Sequence, residues 1–412
     1  MTCLPSRSLY ALLLGLGLLA CSTAAPKAPQ PGAAGTVSTG ATSPPAAPVE
    51  TVVFQNGDGG YRCYRIPAIV QAPGGELLAF AEGRVTDCGD FGDVEIVLRT
   101  SADNGKTWRP VRRAADYGTA QVGNPAPVFD LTDPRYPGGR LFLLYNIGTA
   151  SEADVRAGKA IREVWYITST DQGTTWSAPV NITTQVNRPN KPDVNPQYAF
   201  AEDWRSYANT PGHALQLSQG AHKGRLFVAA NHSAGPPQPQ FHDYQAHGFF
   251  SDDHGSTWHL TPTIAYPGGN ESTAAETSGG GVVLNIRNQS GDVKNRLLAT
   301  SPDAGATWEP TRVAQDLPDP VCQGSMVNYQ APGGQRLLLF SNANSQTKRE
   351  KLTVRTSPDD GKTWSAGKEL YAGSAAYSDV VGQRDGQIGV LYEKDNYGKI
   401  VYSQFSYDWL AH

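Results

Sequence analysis

The chain has 412 residues, with 34 basic and 38 acidic side chains and a net charge of −4. This length fits one large domain or two ordinary ones, and the charge excludes a general affinity for nucleic acid or for anionic lipid headgroups. Glycine (44) and proline (30) are abundant, while tyrosine (18) and tryptophan (8) far outnumber methionine (2). Such a composition favours an all-β protein with many turns over a helical one.

The first twenty residues have the features of an export signal. Arg7 supplies a positive end, and residues 9–20 form an apolar core that is too short to span a bilayer. Residues 18–21, Leu-Leu-Ala-Cys, resemble the bacterial lipobox, whose cysteine receives lipid and becomes the mature N-terminus. We therefore expect a signal peptide over residues 1–20 and a lipid on Cys21 that anchors the protein to the bacterial envelope. Cleavage near residues 24–25, with secretion of the free protein, is the alternative.

The segment that follows predicts a tether. Residues 21–50 consist mainly of Ala, Pro, Gly, Ser and Thr, which cannot bury a core, so we expect a disordered linker. Beyond it the chain holds three cysteines. Export favours oxidation, so Cys63 and Cys88 could form a disulfide and leave Cys322 as a buried free thiol.

An eight-residue motif, Ser-x-Asp-x-Gly-x-Thr-Trp, occurs five times, at residues 101–108, 169–176, 251–258, 301–308 and 357–364. The spacings of 68, 82, 50 and 56 residues exclude a tight solenoid but fit the blades of a β-propeller with variable loops. In each copy the aspartate can cap its own turn, the glycine supplies a positive φ, and the tryptophan can pack between blades. We interpret the motif aspartates as structural, with calcium or carbohydrate binding as the alternative. These aspartates are Asp103, Asp171, Asp253, Asp303 and Asp359.

Apolar runs typical of strands come in pairs along the chain. One run directly precedes each repeat, and another lies earlier in the same unit. A sixth pair, at residues 387–392 and 400–405, has no repeat beside it. Six pairs leave about sixty residues for each blade, enough for four strands and their loops. The sequence therefore predicts an all-β, six-bladed β-propeller over residues 51–412, in which a strand at residues 52–55 joins the last blade and closes the ring.

The topology of a four-stranded antiparallel blade predicts which face carries a functional site. The loop between the second and third strands and the link between blades emerge on one face, whereas the turns that carry the repeat emerge on the other. Unusual polar residues fall in the first set of segments. They are Arg65, Arg84, Asp87, Asp90, Glu271, Arg287, Arg349, Tyr377 and Glu393.

Several of these residues lie in segments that resemble the bacterial exo-sialidases, in the order found in that family. The segments are Tyr64-Arg65-Ile66-Pro67, the five repeats, Asn285-Ile286-Arg287 and Ala376-Tyr377-Ser378-Asp379. The resemblance covers the chain from residue 51 onward. It implies a sialidase-like propeller that hydrolyses terminal α-linked sialic acid from glycoproteins, glycolipids or oligosaccharides, with retention of configuration and release of free sialic acid.

The family's arginine triad maps onto Arg65, Arg287 and Arg349, with Arg355 and Lys348 as nearby alternatives to the third. Sialic acid carries a carboxylate on its anomeric carbon. Three guanidiniums, each a planar fork of donors, would orient and select that group.

Tyr377 matches the nucleophile of the family. Sialidases use tyrosine where most glycosidases use a carboxylate, and a neutral phenol avoids repulsion from the carboxylate of the sugar. Phenol is a poor nucleophile at its ordinary pKa of about 10, so a base is needed. Glu271 matches that base, and Glu276 is the alternative.

Asp90 matches the general acid, which later serves as the base for water, and Asp87 and Asp93 are its alternatives. Arg84 and Asn124 resemble the pair that contacts the region of the sugar's 4-hydroxyl, although many relatives have aspartate where Asn124 stands. The remaining match, Glu393, resembles the carboxylate that holds Arg65 in place.

The resemblance implies no cofactor and no metal. We expect His242, His247, His254 and His259 to be surface residues and not metal ligands. The expected partners are sialylated glycans and, through the N-terminal lipid, a membrane. Nucleic acid is not an expected partner. We expect the protein to be a monomer. Three other functions remain open. One is a trans-sialidase or intramolecular trans-sialidase that uses the same residues, and another is a propeller lectin that keeps only the arginines. The third is a repeat-bearing propeller of an unrelated assembly factor, which would lack the arginine triad.

Overall fold

The computed structural model describes residues 45–412 together with Ser22 and Ala25. The expected signal peptide, the lipid site at Cys21 and most of the expected tether therefore lie outside the described residues. Among the described helices, none has the length and the apolar run that crossing a membrane requires.

The described chain forms the predicted six-bladed β-propeller. Blade 1 contains β2 (Cys63–Gln71), β3 (Leu77–Arg84), β4 (Val94–Ser101) and β5 (Arg112–Ala115). Blade 2 contains β6 (Gln121–Asp130), β7 (Arg140–Gly148), β8 (Arg162–Ser169) and β9 (Val180–Asn181). Blade 3 contains β10 (Trp204–Asn209), β11 (Leu215–Gln216), β12 (Leu226–Ala234), β13 (Tyr244–Ser251) and β14 (His259–Leu260).

The second half of the ring repeats the arrangement. Blade 4 contains β15 (Gly269–Glu276), β16 (Val282–Asn288), β17 (Asn295–Ser301) and β18 (Arg312–Pro318). Blade 5 contains β19 (Ser325–Gln330), β20 (Arg336–Ala343), β21 (Glu350–Ser357) and the first half of β22 (Lys368–Gly382). Blade 6 contains the second half of β22, β23 (Gln387–Lys394), β24 (Lys399–Ser406) and β1 (Val49–Gln55). The described residues also form three short α-helices: α1 (Glu152–Arg156), α2 (Thr183–Val186) and α3 (Tyr407–Ala411).

The N-terminal strand closes the ring, as the sequence predicts. β1 pairs antiparallel with β24 from Val49 to Gln55, so the first strand of the described fold is the outer strand of the last blade. Val53 and Phe54 are buried, and the Phe54 ring lies 5.1 Å from that of Tyr64 in blade 1. The closing strand therefore contributes core contacts as well as ladder hydrogen bonds.

Each repeat forms a turn whose polar groups satisfy one another. In the first copy, the Gly105 N–H donates to Ser101 Oγ at 2.8 Å, and this hydroxyl donates to Asp103 Oδ1 at 2.8 Å. The Thr107 N–H and hydroxyl donate to the two Asp103 oxygens at 2.9 and 2.6 Å, and Gly105 adopts a φ of 83°. The hydrogen bond from the Thr107 side chain is the main reason that the pKa of Asp103 falls to about 2. The turn itself occupies both carboxylate oxygens, which favours the structural interpretation.

The tryptophan of the repeat packs on the preceding blade. The Trp108 ring lies 5.6 Å from that of Tyr402 in blade 6, and Trp258 lies 6.3 Å from Phe142 in blade 2. The repeat, which lies between the third and fourth strands of its blade, thus contributes packing contacts to the preceding blade.

One expectation about the histidines is wrong. His247 is fully buried in blade 3, where its Nδ1 lies 3.1 Å from Nδ1 of His232, whose ring stacks on Trp204 at 3.6 Å. The position lies in the middle of β13, so the side chain points into the core instead of toward solvent. Burial lowers the pKa of His247 to about 3.

We predict that Phe54→Ala lowers the free energy of unfolding by about 3–5 kcal/mol, because it empties a large buried site. Val52 lies on the same strand but is exposed, so Val52→Ala should change stability by less than about 0.5 kcal/mol. Urea denaturation of both variants measures the difference. Equal effects would contradict a closing strand that is packed through Phe54.

We also predict that acid destabilises the fold partly through His247. The folded protein keeps this imidazole neutral down to a pKa of about 3, whereas the unfolded chain takes up the proton near pH 6.5. The free energy of unfolding therefore falls as the pH drops below about 6.5. Denaturation at pH values between about 7 and 4 measures this dependence. The free energy of unfolding should fall less steeply with pH for His247→Gln than for the wild type. Equal slopes for the two proteins would refute the prediction.

Candidate active site

One face of the propeller opens into a cavity of about 280 Å³ on the central axis. Every blade contributes to its lining, through Arg65, Asn124, Ser206, Glu271, Arg349 and Tyr377 in chain order. The structure thus brings most of the residues that the sequence assigned to one face together with Asn124, whereas Asp87 and Glu393 do not line the cavity. Those that line the cavity are Arg65, Arg84, Asp90, Asn124, Glu271, Arg287, Arg349 and Tyr377.

Irregularities in the inner strands aim several of these side chains at the axis. The register shifts next to Arg65 in β2, at Asn124 in β6, at Glu271 in β15 and at Tyr377 in β22. A bulge adds a residue to one strand and so re-aims a side chain that regular pairing would direct elsewhere. At two of the bulges a proline follows, in Ile66-Pro67 and Asn124-Pro125, and proline cannot donate to the ladder.

The buried carboxylate of Glu393, in β23, lies directly beneath the cavity. It accepts hydrogen bonds from Arg65 Nε at 2.6 Å, from the Ile66 N–H at 3.0 Å and from the Tyr377 N–H at 3.1 Å. Glu393 therefore contacts Arg65 and also fixes the backbone of Tyr377.

The three arginines converge around Tyr377. The guanidinium carbons of Arg65 and Arg349 lie 5.7 and 5.6 Å from the centre of the tyrosine ring, and Arg287 Nη1 donates to the tyrosine hydroxyl at 2.9 Å. Burial alone would lower the pKa of Arg65, but the charge of Glu393 raises it overall, so this guanidinium stays charged. The cavity thus presents three cations at one point.

The alternatives to Arg349 lie elsewhere. Arg355 donates to the amide oxygens of Asn342 and Asn344 at 3.2 and 2.7 Å and does not line the cavity. Lys348 borders a neighbouring groove on the outer side of Arg349.

Tyr377 and Glu271 form a direct pair on the cavity floor. The tyrosine hydroxyl donates to Glu271 Oε1 at 2.5 Å, and the other oxygen of Glu271 accepts from Arg287 at 2.5 Å. Burial, followed by the Glu271 charge, raises the pKa of Tyr377 well above its ordinary value despite the nearby arginines. The free protein therefore holds a neutral phenol in contact with a carboxylate.

Glu276, the alternative to Glu271, lies at the other end of the same strand. Its carboxylate accepts hydrogen bonds from the Ser218 hydroxyl and from the backbone N–H groups of Ser218 and Gln219. It is buried and does not line the cavity.

A disulfide holds the loop that carries Asp90. Cys63 is bonded to Cys88, with their Cα atoms 5.3 Å apart, and Cys322 is a buried free thiol. Arg84 Nη1 donates to the Cys88 carbonyl and to Asp90 Oδ1, both at 2.8 Å. The Asp90 side chain is 84% exposed at the mouth of the cavity.

The charge environment of Asp90 differs from that of its two alternatives. Surrounding protein would by itself raise the pKa of Asp90, but the charge and hydrogen bond of Arg84 lower it overall. Asp87 instead accepts from the Gly89 N–H at 2.7 Å, and Asp93 begins the return of the loop to β4. Neither of them lines the cavity.

Asn124 and Arg84 share a buried carboxylate. Glu82 accepts from the Asn124 N–H at 3.0 Å through one oxygen and from Arg84 Nη2 at 2.7 Å through the other. One carboxylate thus holds the Asn124 backbone and the Arg84 guanidinium at the cavity wall.

Sequence reasoning missed one wall of the cavity. There, Glu152 accepts from Ser206 Oγ at 2.7 Å, pairs with Arg162 at 2.6 Å and contacts the hydroxyl of Tyr244. Glu152 lies in the loop between the second and third strands of blade 2, so the rule that one face carries these loops could have indicated it. No motif marked these residues individually.

Comparison with known proteins places the chain in a family. The model of the BNR repeat-like domain matches residues 75–390. A sialidase of Micromonospora viridifaciens is 33% identical over 99% of this chain, which spans 61% of that protein's length. Sialidase-2 of Cricetulus griseus is 32% identical over 86% of this chain and 94% of its own length.

Solved structures agree on the fold. The Hadza microbial sialidase Hz136 superposes with a TM-score of 0.74 at 26% identity, over 88% of this chain and 69% of that one. An intramolecular trans-sialidase of Ruminococcus gnavus has a TM-score of 0.68 over 87% of this chain and 97% of that one, and its 17% identity supports the fold alone. With these matches and the cavity described above, the chain belongs to the sialidase family of BNR-repeat β-propeller glycoside hydrolases.

Proposed function

We propose that this protein is an exo-α-sialidase that hydrolyses terminal α-linked sialic acid from glycoproteins, glycolipids or oligosaccharides with retention of configuration. The observation that carries this proposal is the Tyr377 hydroxyl, which lies 2.5 Å from Glu271 and 2.9 Å from Arg287 on the floor of the cavity. A nucleophile in contact with its base, beside three cations, matches the chemistry of a sugar that carries a carboxylate on its anomeric carbon.

In the proposed complex, Arg65, Arg287 and Arg349 bind the sialic acid carboxylate. Their burial matters, because charge-assisted hydrogen bonds are stronger in a site of low dielectric than in water. The bound carboxylate places the anomeric carbon over the Tyr377 hydroxyl.

In the first half of the reaction, the Tyr377 oxygen attacks the anomeric carbon while Glu271 takes the phenolic proton. The raised pKa of the phenol makes this proton transfer necessary, since little phenolate exists at neutral pH. The bond to the leaving oxygen breaks as Asp90 donates a proton to it. The products are a tyrosyl–sialosyl intermediate and the free aglycone.

In the second half, Asp90 removes a proton from water and the resulting hydroxide attacks the anomeric carbon from the side that the aglycone left. The bond to Tyr377 breaks, and the phenol recovers its proton from Glu271. The exposed position of Asp90 gives water access to this base.

The protonation state of Asp90 must change between the two halves. In the free protein, Arg84 lowers its pKa, which suits the base form. The carboxylate of the substrate places a negative charge beside Arg65, whose Nη1 lies 3.9 Å from Asp90. That charge partly offsets the field of the arginines and raises the pKa of Asp90 toward the acid form.

We predict that Tyr377→Phe lowers kcat on sialyllactose at least about 100-fold, because the nucleophile is lost while the arginines remain. Proton NMR of the wild-type reaction should show the α-anomer of free sialic acid as the first product. The variant should still bind 2,3-didehydro-sialic acid and keep the circular dichroism of the wild type. A variant with wild-type kcat, or a first product in the β or anhydro form, would refute the proposal.

We predict that Asp90→Ala discriminates between leaving groups. On sialyllactose the loss of the general acid should lower kcat about 10²–10⁴-fold. On 4-methylumbelliferyl sialoside the loss should be at least about tenfold smaller, because this phenolate leaves with little protonation. Asp87→Ala, on the same loop, is the matched control and should leave both rates within about threefold of the wild type. Equal losses on the two substrates would exclude Asp90 as the acid.

A further inference from the structure

The turn between β23 and β24 has an unusual backbone. Asp395, Asn396 and Tyr397 have φ values of 54°, 54° and 67°, so three consecutive residues other than glycine are left-handed. Aspartate and asparagine tolerate this region, but a bulky residue such as tyrosine rarely occupies it. Strain of this kind persists only where the surroundings impose it, and it concentrates at functional sites.

Contacts from β22 and from Asn56 hold the turn in place. The Tyr371 hydroxyl donates to Asp395 at 2.6 Å, and the Asn396 N–H donates to Ser374 Oγ at 3.3 Å. Asn56, just after the closing strand, donates to the Tyr397 carbonyl at 2.8 Å. The backbone conformation of Tyr397 is therefore fixed from both sides of the hairpin.

This conformation directs the Tyr397 ring at two of the three arginines. The guanidinium carbon of Arg65 lies 4.2 Å from the ring centre, within cation–π range, and Arg349 Nη1 donates to the Tyr397 hydroxyl at 3.2 Å. Tyr397 does not line the cavity; it borders a neighbouring groove that Arg349 also borders. It therefore contacts Arg65 and Arg349 without lining the space proposed for the substrate.

Arg349 depends on this contact more than the other arginines do. Arg65 pairs with Glu393 and Arg287 pairs with Glu271, but Arg349 has no carboxylate partner among the described residues. Its side chain donates hydrogen bonds to the Val321 carbonyl at 3.1 Å and to the Tyr397 hydroxyl. A guanidinium without a carboxylate is available to a carboxylate ligand, provided that something else holds its long side chain in place.

We propose that Tyr397 is a positioning residue that sets the spacing of Arg65 and Arg349 for the carboxylate of the substrate. This inference rests on the proposed function. The ring covers one face of Arg65 and the hydroxyl fixes Arg349, so both side chains are ordered before the ligand arrives and binding costs less conformational entropy. The carboxylate keeps its charge throughout the reaction, so Tyr397 acts on binding and leaves the chemical steps unchanged.

The experiment compares the wild type with Tyr397→Phe, which loses only the hydroxyl, and Tyr397→Leu, which also loses the ring. Tyr329→Phe is the matched control, because Tyr329 is a buried tyrosine whose hydroxyl donates to the Gly386 carbonyl at 2.7 Å and does not contact any of the three arginines. Steady-state kinetics on sialyllactose give KM and kcat. Calorimetry with 2,3-didehydro-sialic acid measures affinity without turnover.

We expect KM and the Kd of the analogue to rise about 3-fold in Tyr397→Phe and about 10-fold or more in Tyr397→Leu. In both variants kcat should stay within about 3-fold of the wild type, and the control should match the wild type in every constant. An unchanged Kd in Tyr397→Leu, or a loss confined to kcat, would overturn the inference. A wild type that binds the analogue but does not hydrolyse sialyllactose would refute the proposed activity, while the Kd values would still decide the role of Tyr397.

Discussion

The carboxylate of Glu393 is the contact on which the remaining geometry depends. It joins blade 1, through Arg65 and the Ile66 N–H, to blade 6, through the Tyr377 N–H. These are the two blades that must meet for the ring to close. Closure of the propeller therefore also fixes Arg65 and the backbone of Tyr377 on the same carboxylate. A buried carboxylate is costly unless it is fully bonded, and here the bonding partners are the functional groups themselves.

Buried carboxylates also join blades at other places around the axis. Asp379 accepts from the Ile69 N–H of blade 1 and from the Ser325 hydroxyl of blade 5, and Glu82 joins blade 1 to the Asn124 N–H of blade 2. The net charge of the chain is slightly negative, so the cluster of arginines at the cavity is a local feature. Glu393 and Glu271 hold Arg65 and Arg287 through ion pairs, whereas Arg349 has no carboxylate partner in the described part of the chain.

Much of this architecture could be predicted from the sequence, because the repeat is a local structure whose serine, aspartate and glycine have fixed roles. The choice between Glu271 and Glu276 could not be predicted from the sequence, because both residues lie on one strand. Only a bulge and tertiary contacts distinguish their environments. The role of Tyr397 could not be predicted from the sequence for a related reason. Its role comes from an unusual turn conformation and from partners 48 and 332 positions away along the chain. The burial of His247 reflects strand packing that no motif reports.

The strand β22 differs from the other links between blades. It runs without interruption through fifteen residues, from the outer edge of blade 5 to the inner edge of blade 6, and Tyr377 lies on it. Elsewhere consecutive blades are joined by loops, such as residues 319–324 between β18 and β19. A displacement of blade 5 relative to blade 6 would therefore act on the strand that carries Tyr377. For circular permutation or insertion of a foreign domain, the loop junctions are permissive positions, whereas a cut in β22 would separate two blades next to Tyr377.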